Sequence, residues 1–99
     1  MRIATEIEGR KATIVLEGRL DVGAAPQFEA CANRLWDQGV RDVLVDMELC
    51  EYVSSAGLRS IVSLSKRATR AGSLTFVRVP PQVMEIFTYT GFDAILSFA

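Results

Sequence analysis

Hydrophobic and polar positions alternate at the start of the chain, as they do in a strand with one buried face. Every second residue between positions 2 and 8 is Ile or Thr, and we predict a strand over residues 2–8. A second apolar block predicts another strand over residues 13–17, ended by Gly18. The polar link between the two strands contains a glycine and therefore favours an antiparallel hairpin.

From Pro26 onwards the hydrophobic residues recur every three or four positions, which is typical of an amphipathic helix. The residues of this apolar stripe are Phe28, Cys31, Ala32, Leu35 and Trp36. Pro26 suits the first turn of a helix, and Gly39 is typical of a left-handed residue that ends one. The block Val43–Val45 is apolar at consecutive positions, so we predict a central strand that is covered on both faces.

The second half of the chain predicts two more helices and at least one more strand. Apolar residues at helical spacing run from Leu58 to Ala68, and residues 74–79 return to the composition of a strand. The pair Pro80-Pro81 stops that strand before a third helix, which ends at Gly91. Residues 94–98 form a last short apolar segment, either a strand or a short helix.

This order of elements predicts an α/β fold. Strand-helix-strand units connected by right-handed crossovers build a small mixed, largely parallel sheet with an antiparallel edge hairpin, covered by helices. We expect residues 1–99 to form a single domain, because 99 residues are enough for one hydrophobic core and too few for two.

Charge and composition exclude several classes of function. The 11 Lys and Arg residues nearly balance 12 Asp and Glu residues, which argues against a nucleic-acid partner. No apolar run is long enough for a membrane span or a signal peptide, so we expect a cytoplasmic protein without membrane insertion. Histidine is absent, which removes His-dependent nucleophiles and His-containing zinc sites. We expect no catalytic residue, no metal and no cofactor, and we expect Cys31 and Cys50 to be reduced core residues.

Two loops leave the carboxyl ends of predicted strands, the edge at which α/β proteins usually bind ligands and partners. The loops are Gly18-Arg19-Leu20-Asp21 and Val53-Ser54-Ser55-Ala56-Gly57-Leu58. Ser54 and Ser55 directly precede a predicted helix, where a hydroxyl can cap a free backbone N–H. A helix N-terminus also stabilises an attached phosphate, and Arg59 could reach a phosphate on Ser55. We expect Asp21 and Ser55 to be neighbours.

In their order and spacing, the two loops resemble the STAS domain of bacterial anti-sigma factor antagonists. The resemblance covers nearly the whole chain. In that family the second loop usually reads Asp-Ser-Ser/Thr-Gly-Leu, and the serine after the aspartate is phosphorylated. Alignment on Gly57 and Leu58 implies Ser55 as the phosphoacceptor, with Ser54 as the alternative. Ser54 stands where the family has its aspartate, and Ala56 stands where the family has the following hydroxyl residue.

The resemblance implies a partner-switching protein without catalytic activity. The unphosphorylated protein would bind an anti-sigma factor serine kinase, phosphorylation of Ser55 would release it, and a PP2C-type phosphatase would reset it. The residues implied in partner binding are Asp21, Ser54, Ser55, Ala56, Gly57, Leu58 and Arg59. The alternative is a constitutive STAS regulatory subunit of a transport ATPase or a stress-sensing complex, without phosphate exchange. A serine hydrolase would need a base that the loop lacks.

Overall fold

The first two strands of the chain form the predicted antiparallel hairpin in a computed structural model that describes residues 1–99. The strands are β1 (Arg2–Glu8), β2 (Lys11–Leu20), β3 (Asp42–Asp46), β4 (Cys50–Val53), β5 (Ser73–Val77) and β6 (Ser97–Phe98). The helices are α1 (Ala25–Asp37), α2 (Ser55–Ala71) and α3 (Pro81–Thr90), and a 3₁₀ helix covers Phe92–Ala94.

The strands form one mixed sheet of six strands. Five of them lie in the order β1-β2-β3-β5-β6, with β1 antiparallel to β2 and all other pairs parallel. β4 lies off this path and pairs in parallel with the carboxyl-terminal part of β2. The predicted mixed, largely parallel sheet with an antiparallel edge is therefore confirmed, and β3 lies at its centre as expected.

The prediction that Gly18 ends the second strand is wrong. Gly18 has a φ of +104°, a conformation that glycine adopts without strain, and the pairing register shifts directly after it. The shift lets β2 continue to Leu20 and change partner from β3 to β4. β4 was not predicted; it is a short strand in which only the two end residues, Cys50 and Val53, are buried.

The helices cover one face of the sheet, so the expectation that Val43–Val45 is covered on both faces is also wrong. Val43 and Val45 are fully buried, whereas Leu44 points to the opposite face and is only half-buried. The same alternation holds along β2 and β5. In a sheet with one covered face, buried and more exposed residues alternate along each strand. The sequence does not show this alternation at Leu44, because Leu44 is apolar although it lies on the uncovered face.

The helices are joined to one another and to the sheet by aromatic and charged contacts. The rings of Phe76, Phe87 and Phe98 pack at centroid distances of 5.9–6.1 Å and connect β5, α3 and β6. Arg67 connects α2 to α1, because its guanidinium pairs with Asp37 at 2.6 Å and lies 5.5 Å from the centre of the Trp36 ring.

None of the helices has both the length and the apolar composition that a membrane crossing requires.

Candidate functional site

The parallel pairing of β2 with β4 brings the two loops of interest to one edge of the sheet. Leu20 pairs with Val53 at the end of both strands. Asp21 and Ser54 are the next residues of their chains and therefore follow neighbouring strands at the same edge. The backbone N–H of Ser54 donates to the Leu20 carbonyl at 2.9 Å, which ties the start of α2 to the end of β2.

Ser54 caps the N-terminus of α2. Its hydroxyl oxygen accepts a hydrogen bond from the Gly57 N–H at 3.1 Å. The same hydroxyl donates to the Leu20 carbonyl at 2.9 Å. Serine is a preferred capping residue because its oxygen replaces one of the hydrogen bonds that the first turn of a helix lacks. Both the donor and the acceptor of the Ser54 hydroxyl are therefore engaged in holding the loop.

Gly57 lets the first turn of α2 lie directly against β2. A Cβ atom at this position would lie 2.7 Å from the Leu20 carbonyl oxygen and 2.9 Å from its Cγ. Gly57 does not need an unusual backbone conformation, because its φ lies outside the left-handed region. The close approach accounts for a glycine at a helix position where it normally costs up to about 1 kcal/mol relative to alanine.

Ser55 is the first residue of α2 and is exposed to solvent. The first turn of α2 contains no acidic side chain, and Arg59, also exposed, lies four residues further along the helix. Residues four apart lie on the same side of a helix. The N-terminus of a helix carries about half of a positive elementary charge. The surroundings of Ser55 therefore favour a negative group attached to its hydroxyl.

The other predicted contact residues of the loop divide into exposed and internal ones. Ala56 is half-buried, whereas Gly57 and Leu58 are buried, and Leu58 belongs to the hydrophobic core with 8% of its surface exposed. Gly57 and Leu58 thus fix the loop from inside. The part of this loop that a partner can touch includes Ser55, Ala56 and Arg59.

Asp21 forms the turn that leads from β2 into α1. Its carboxylate accepts hydrogen bonds from the N–H groups of Gly23, at 3.1 Å, and Ala24, at 3.0 Å. This is the local turn that aspartate side chains commonly form with the backbone two and three residues on. The side chain remains exposed at the edge of the sheet, so the turn role leaves it accessible from outside.

A groove of 710 Å³ between α1 and α2 opens beside the Ser55 loop. Ala56 and Arg59 line it from α2, and Val22, which is 75% exposed, lies on its rim. At one side the Ser60 hydroxyl donates to the Glu29 carboxylate at 3.0 Å. Val22 was not predicted as a site residue, because an apolar residue in a loop gives no sign that it borders a groove.

Arg19 and Tyr52 form a second exposed feature, and the contact between them was not predicted from the sequence. The two residues pair across β2 and β4, and the Arg19 guanidinium lies 4.4 Å from the centre of the Tyr52 ring. Such cation–π contacts contribute about 0.5–1 kcal/mol at exposed sites. Because the pairing depends on the register shift after Gly18, only the sheet register could have shown it.

An acidic group lies at the end of the neighbouring strand β3. Asp46 is buried, and Arg78, which follows β5, pairs with its carboxylate. The hydrogen bond from Arg78 holds the pKa of Asp46 below its usual value. Arg78 adopts a φ of +54°, which is uncommon for a residue other than glycine. Arg78 thereby links the end of β5 to the end of β3.

Neither of the two cysteines is a reactive thiol. Cys31 and Cys50 are both buried and unbridged, and burial raises the pKa of each thiol. A thiol with a raised pKa stays protonated and is a poor nucleophile. No three Cys, Asp or Glu side chains lie together in a way that could hold a metal ion.

Residues 3–97 match a protein-family model described as "Mlab, STAS domain". The chain is 34% identical over 85 residues to BtrV of Bordetella bronchiseptica, which is named as an anti-sigma factor antagonist, and the match covers 85% of this chain and 73% of BtrV. It is 25% identical over 97 residues to the anti-sigma-B factor antagonist of Staphylococcus aureus, covering 97% of this chain and 90% of that protein.

Solved structures show the same fold. A Thermotoga maritima protein named as an anti-sigma factor antagonist superposes with a TM-score of 0.87 at 17% identity, covering 97% of this chain and 84% of that one. The anti-sigma factor antagonist SpoIIAA in its unphosphorylated form superposes with a TM-score of 0.75 at 20% identity, covering 99% of this chain and 87% of that one.

Proposed function

Because the chain belongs to the STAS domain family and its relatives are named as anti-sigma factor antagonists, we propose that it is a phosphorylation-gated antagonist of this kind. The unmodified protein binds an anti-sigma factor that is also a serine kinase, and so frees a sigma factor. Phosphorylation of Ser55 ends the binding, and a PP2C-type phosphatase restores it. The protein itself acts by binding and catalyses no reaction.

The observation that carries this proposal is the difference in exposure and hydrogen bonding between two adjacent serines. Ser55 is exposed at the first position of a long helix, where a kinase can reach it. Ser54 is half-buried, and its hydroxyl donates one hydrogen bond and accepts another. A phosphate on Ser54 would remove the proton that it donates to Leu20 and would break the helix cap. Ser55 is therefore the acceptor in this proposal.

The switch works through charge and shape at the loop, without refolding of the domain. A phosphate on Ser55 adds about 1.5 to 2 negative charges at neutral pH. The N-terminus of α2 and Arg59 stabilise this charge, so the helix stays intact. A partner fitted to the unmodified loop then meets a bulky anion. A loss of only about 3 kcal/mol in binding weakens a complex more than a hundredfold.

Phosphosite mapping tests the proposal. The protein is incubated with ATP and the anti-sigma factor serine kinase of the same bacterium, and the phosphorylated residue is identified by mass spectrometry. We expect phosphate on Ser55, an unmodified Ser55→Ala variant, and a Ser54→Ala variant that is still phosphorylated. Phosphate on any other residue, or on none, contradicts the gating mechanism.

A second function is favoured by the composition of the loop itself. Ser54 and Ala56 replace the aspartate and the second hydroxyl residue that the resembled family carries on either side of its phosphoacceptor. A constitutive regulatory subunit, which docks on a transport ATPase or a stress-sensing complex through the same edge, needs neither group. Ser55→Asp and Ser55→Ala variants separate the two functions: a gated antagonist binds its partner in the alanine form only, whereas a constitutive subunit binds in both forms.

A further inference from the structure

The outer edge of β1 is the longest unpaired strand edge in the structure. β1 pairs with β2 alone, so one side of its seven residues has no partner. Natural proteins usually protect such edges with charged side chains, lysine above all, with proline or with a bulge, or cover them with another element. β1 has no proline, no lysine and an unbroken register with β2, and its charged residues Arg2, Glu6 and Glu8 all lie on the face away from the helices. Its Ile7 side chain is 56% exposed.

The hydrogen bonds of β2 determine which backbone groups of β1 face this edge. The Arg10 carbonyl accepts from the Asp42 N–H at 3.1 Å, so even-numbered residues of β2 direct their polar backbone groups toward β3. Odd-numbered residues of β2 therefore pair with the even-numbered residues of β1. The residues of β1 with outward-facing N–H and C=O groups are Ile3, Thr5 and Ile7.

These outward-facing groups are symmetric about Thr5, and so are the side chains beside them. In an antiparallel pair of two β1 strands centred on Thr5, Ile3 of each copy lies opposite Ile7 of the other. Both residues already lie on the helix-covered side of the sheet, where they neighbour Leu16 and Ala12. The outward-facing backbone groups and the isoleucine side chains therefore favour the same register.

The charges of β1 favour this register as well. On the other face of the sheet, Arg2 of each copy lies opposite Glu8 of the other, which gives two symmetric pairs of opposite charge. A register shifted by two residues toward the turn would place Glu6 opposite Glu6 and is disfavoured. The strand is thus self-complementary in hydrogen bonds, apolar contacts and charge.

We propose that β1 is a homodimerisation edge, at which two copies of this chain pair antiparallel about Thr5. The arrangement is isologous, with the same strand contributed by both copies, and it joins the two sheets into one continuous sheet. The Ser55 loop contributes no residue to this edge. The inference is therefore independent of phosphorylation and of the partner that the loop binds.

Exchanging the charges of Arg2 and Glu8 tests the proposal. Sedimentation velocity is measured on the protein without added residues before Met1, and on the variants Arg2→Glu and Glu8→Arg. We expect the wild type to dimerise and each single variant to dimerise at least about tenfold more weakly, because every reversal creates two like-charge pairs. An equimolar mixture of the two variants restores the dimer, and so does the double variant Arg2→Glu/Glu8→Arg.

A second variant removes the backbone contribution at the centre of the pair. Thr5→Pro deletes an N–H that faces the open edge and leaves the ladder to β2 intact, so we expect a folded monomer, with folding checked by thermal unfolding. A wild type that stays monomeric up to about 1 mM overturns the proposal. A dimer whose stability is the same in all charge variants also overturns it, because that dimer uses another surface.

Discussion

Replacing Gly57 by alanine tests whether the loop geometry depends on the close approach of α2 to β2. The new Cβ would lie 2.7 Å from the Leu20 carbonyl oxygen, whereas ordinary contact begins at 3.4 Å. The start of the helix and the end of β2 must therefore separate by about 0.7 Å, against the hydrogen bonds that hold Ser54 to Leu20. Overpacking of this kind lowers the free energy of unfolding by up to about 3 kcal/mol, and the higher helix propensity of alanine raises it by up to about 1 kcal/mol.

We therefore expect Gly57→Ala to lower the free energy of unfolding by about 2 kcal/mol, and the melting temperature by about 8–16 °C. Thermal and urea unfolding followed by circular dichroism measure both quantities. Gly23→Ala is the matched control at the same edge, because its Cβ would meet only the Asp21 carboxylate, at an ordinary 3.6 Å. We expect the control to lie within about 0.5 kcal/mol of the wild type. A Gly57→Ala protein that melts at or above the wild-type temperature would refute the packing explanation for this glycine.

Two further changes test the cap of α2 and the charge at the end of β3. Ser54→Ala removes the helix cap and should lower the free energy of unfolding by about 1 kcal/mol in urea titrations, and an unchanged value would show that the cap is unimportant. Asp46→Asn removes a carboxylate whose pKa is held down by Arg78, so the charged form stabilises the fold. That stabilisation is complete above about pH 4 and is lost as the pH falls through the lowered pKa of the folded state. The stability difference between Asp46→Asn and the wild type should therefore shrink on acidification, and a constant difference from about pH 6 to pH 3 would contradict the role of the ion pair.

The sequence predicted most of the fold because its helices carry strong periodic signals with clear ends. Helix α1 spans Ala25–Asp37 in the structure, close to its predicted extent, and Gly39 has the expected positive φ of +97°. β4 escaped prediction because it is four residues long and its two middle residues are exposed, which is the pattern of a loop. The continuation of β2 beyond Gly18 was equally hidden, since a glycine with positive φ usually ends a strand and only the partner strand shows that this one does not.

The arrangement at the candidate site was only partly predictable. A serine before an apolar helical stripe indicates a cap, and Ser54 forms one. A glycine in the first turn of a helix permits close packing, but the partner of Gly57, Leu20, follows only from the pairing of β2 with β4. The contact between Arg19 and Tyr52 depends on the same register and has no signature in the local sequence.

The affinity of the anti-sigma factor serine kinase for this protein, measured by calorimetric titration with and without phosphate on Ser55, tests the central claim most directly. The proposed switch predicts tight binding of the unmodified protein, and binding at least roughly a hundredfold weaker once Ser55 is phosphorylated, which corresponds to about 3 kcal/mol. Equal affinity of the two forms would contradict the switch and leave constitutive docking as the function of this edge.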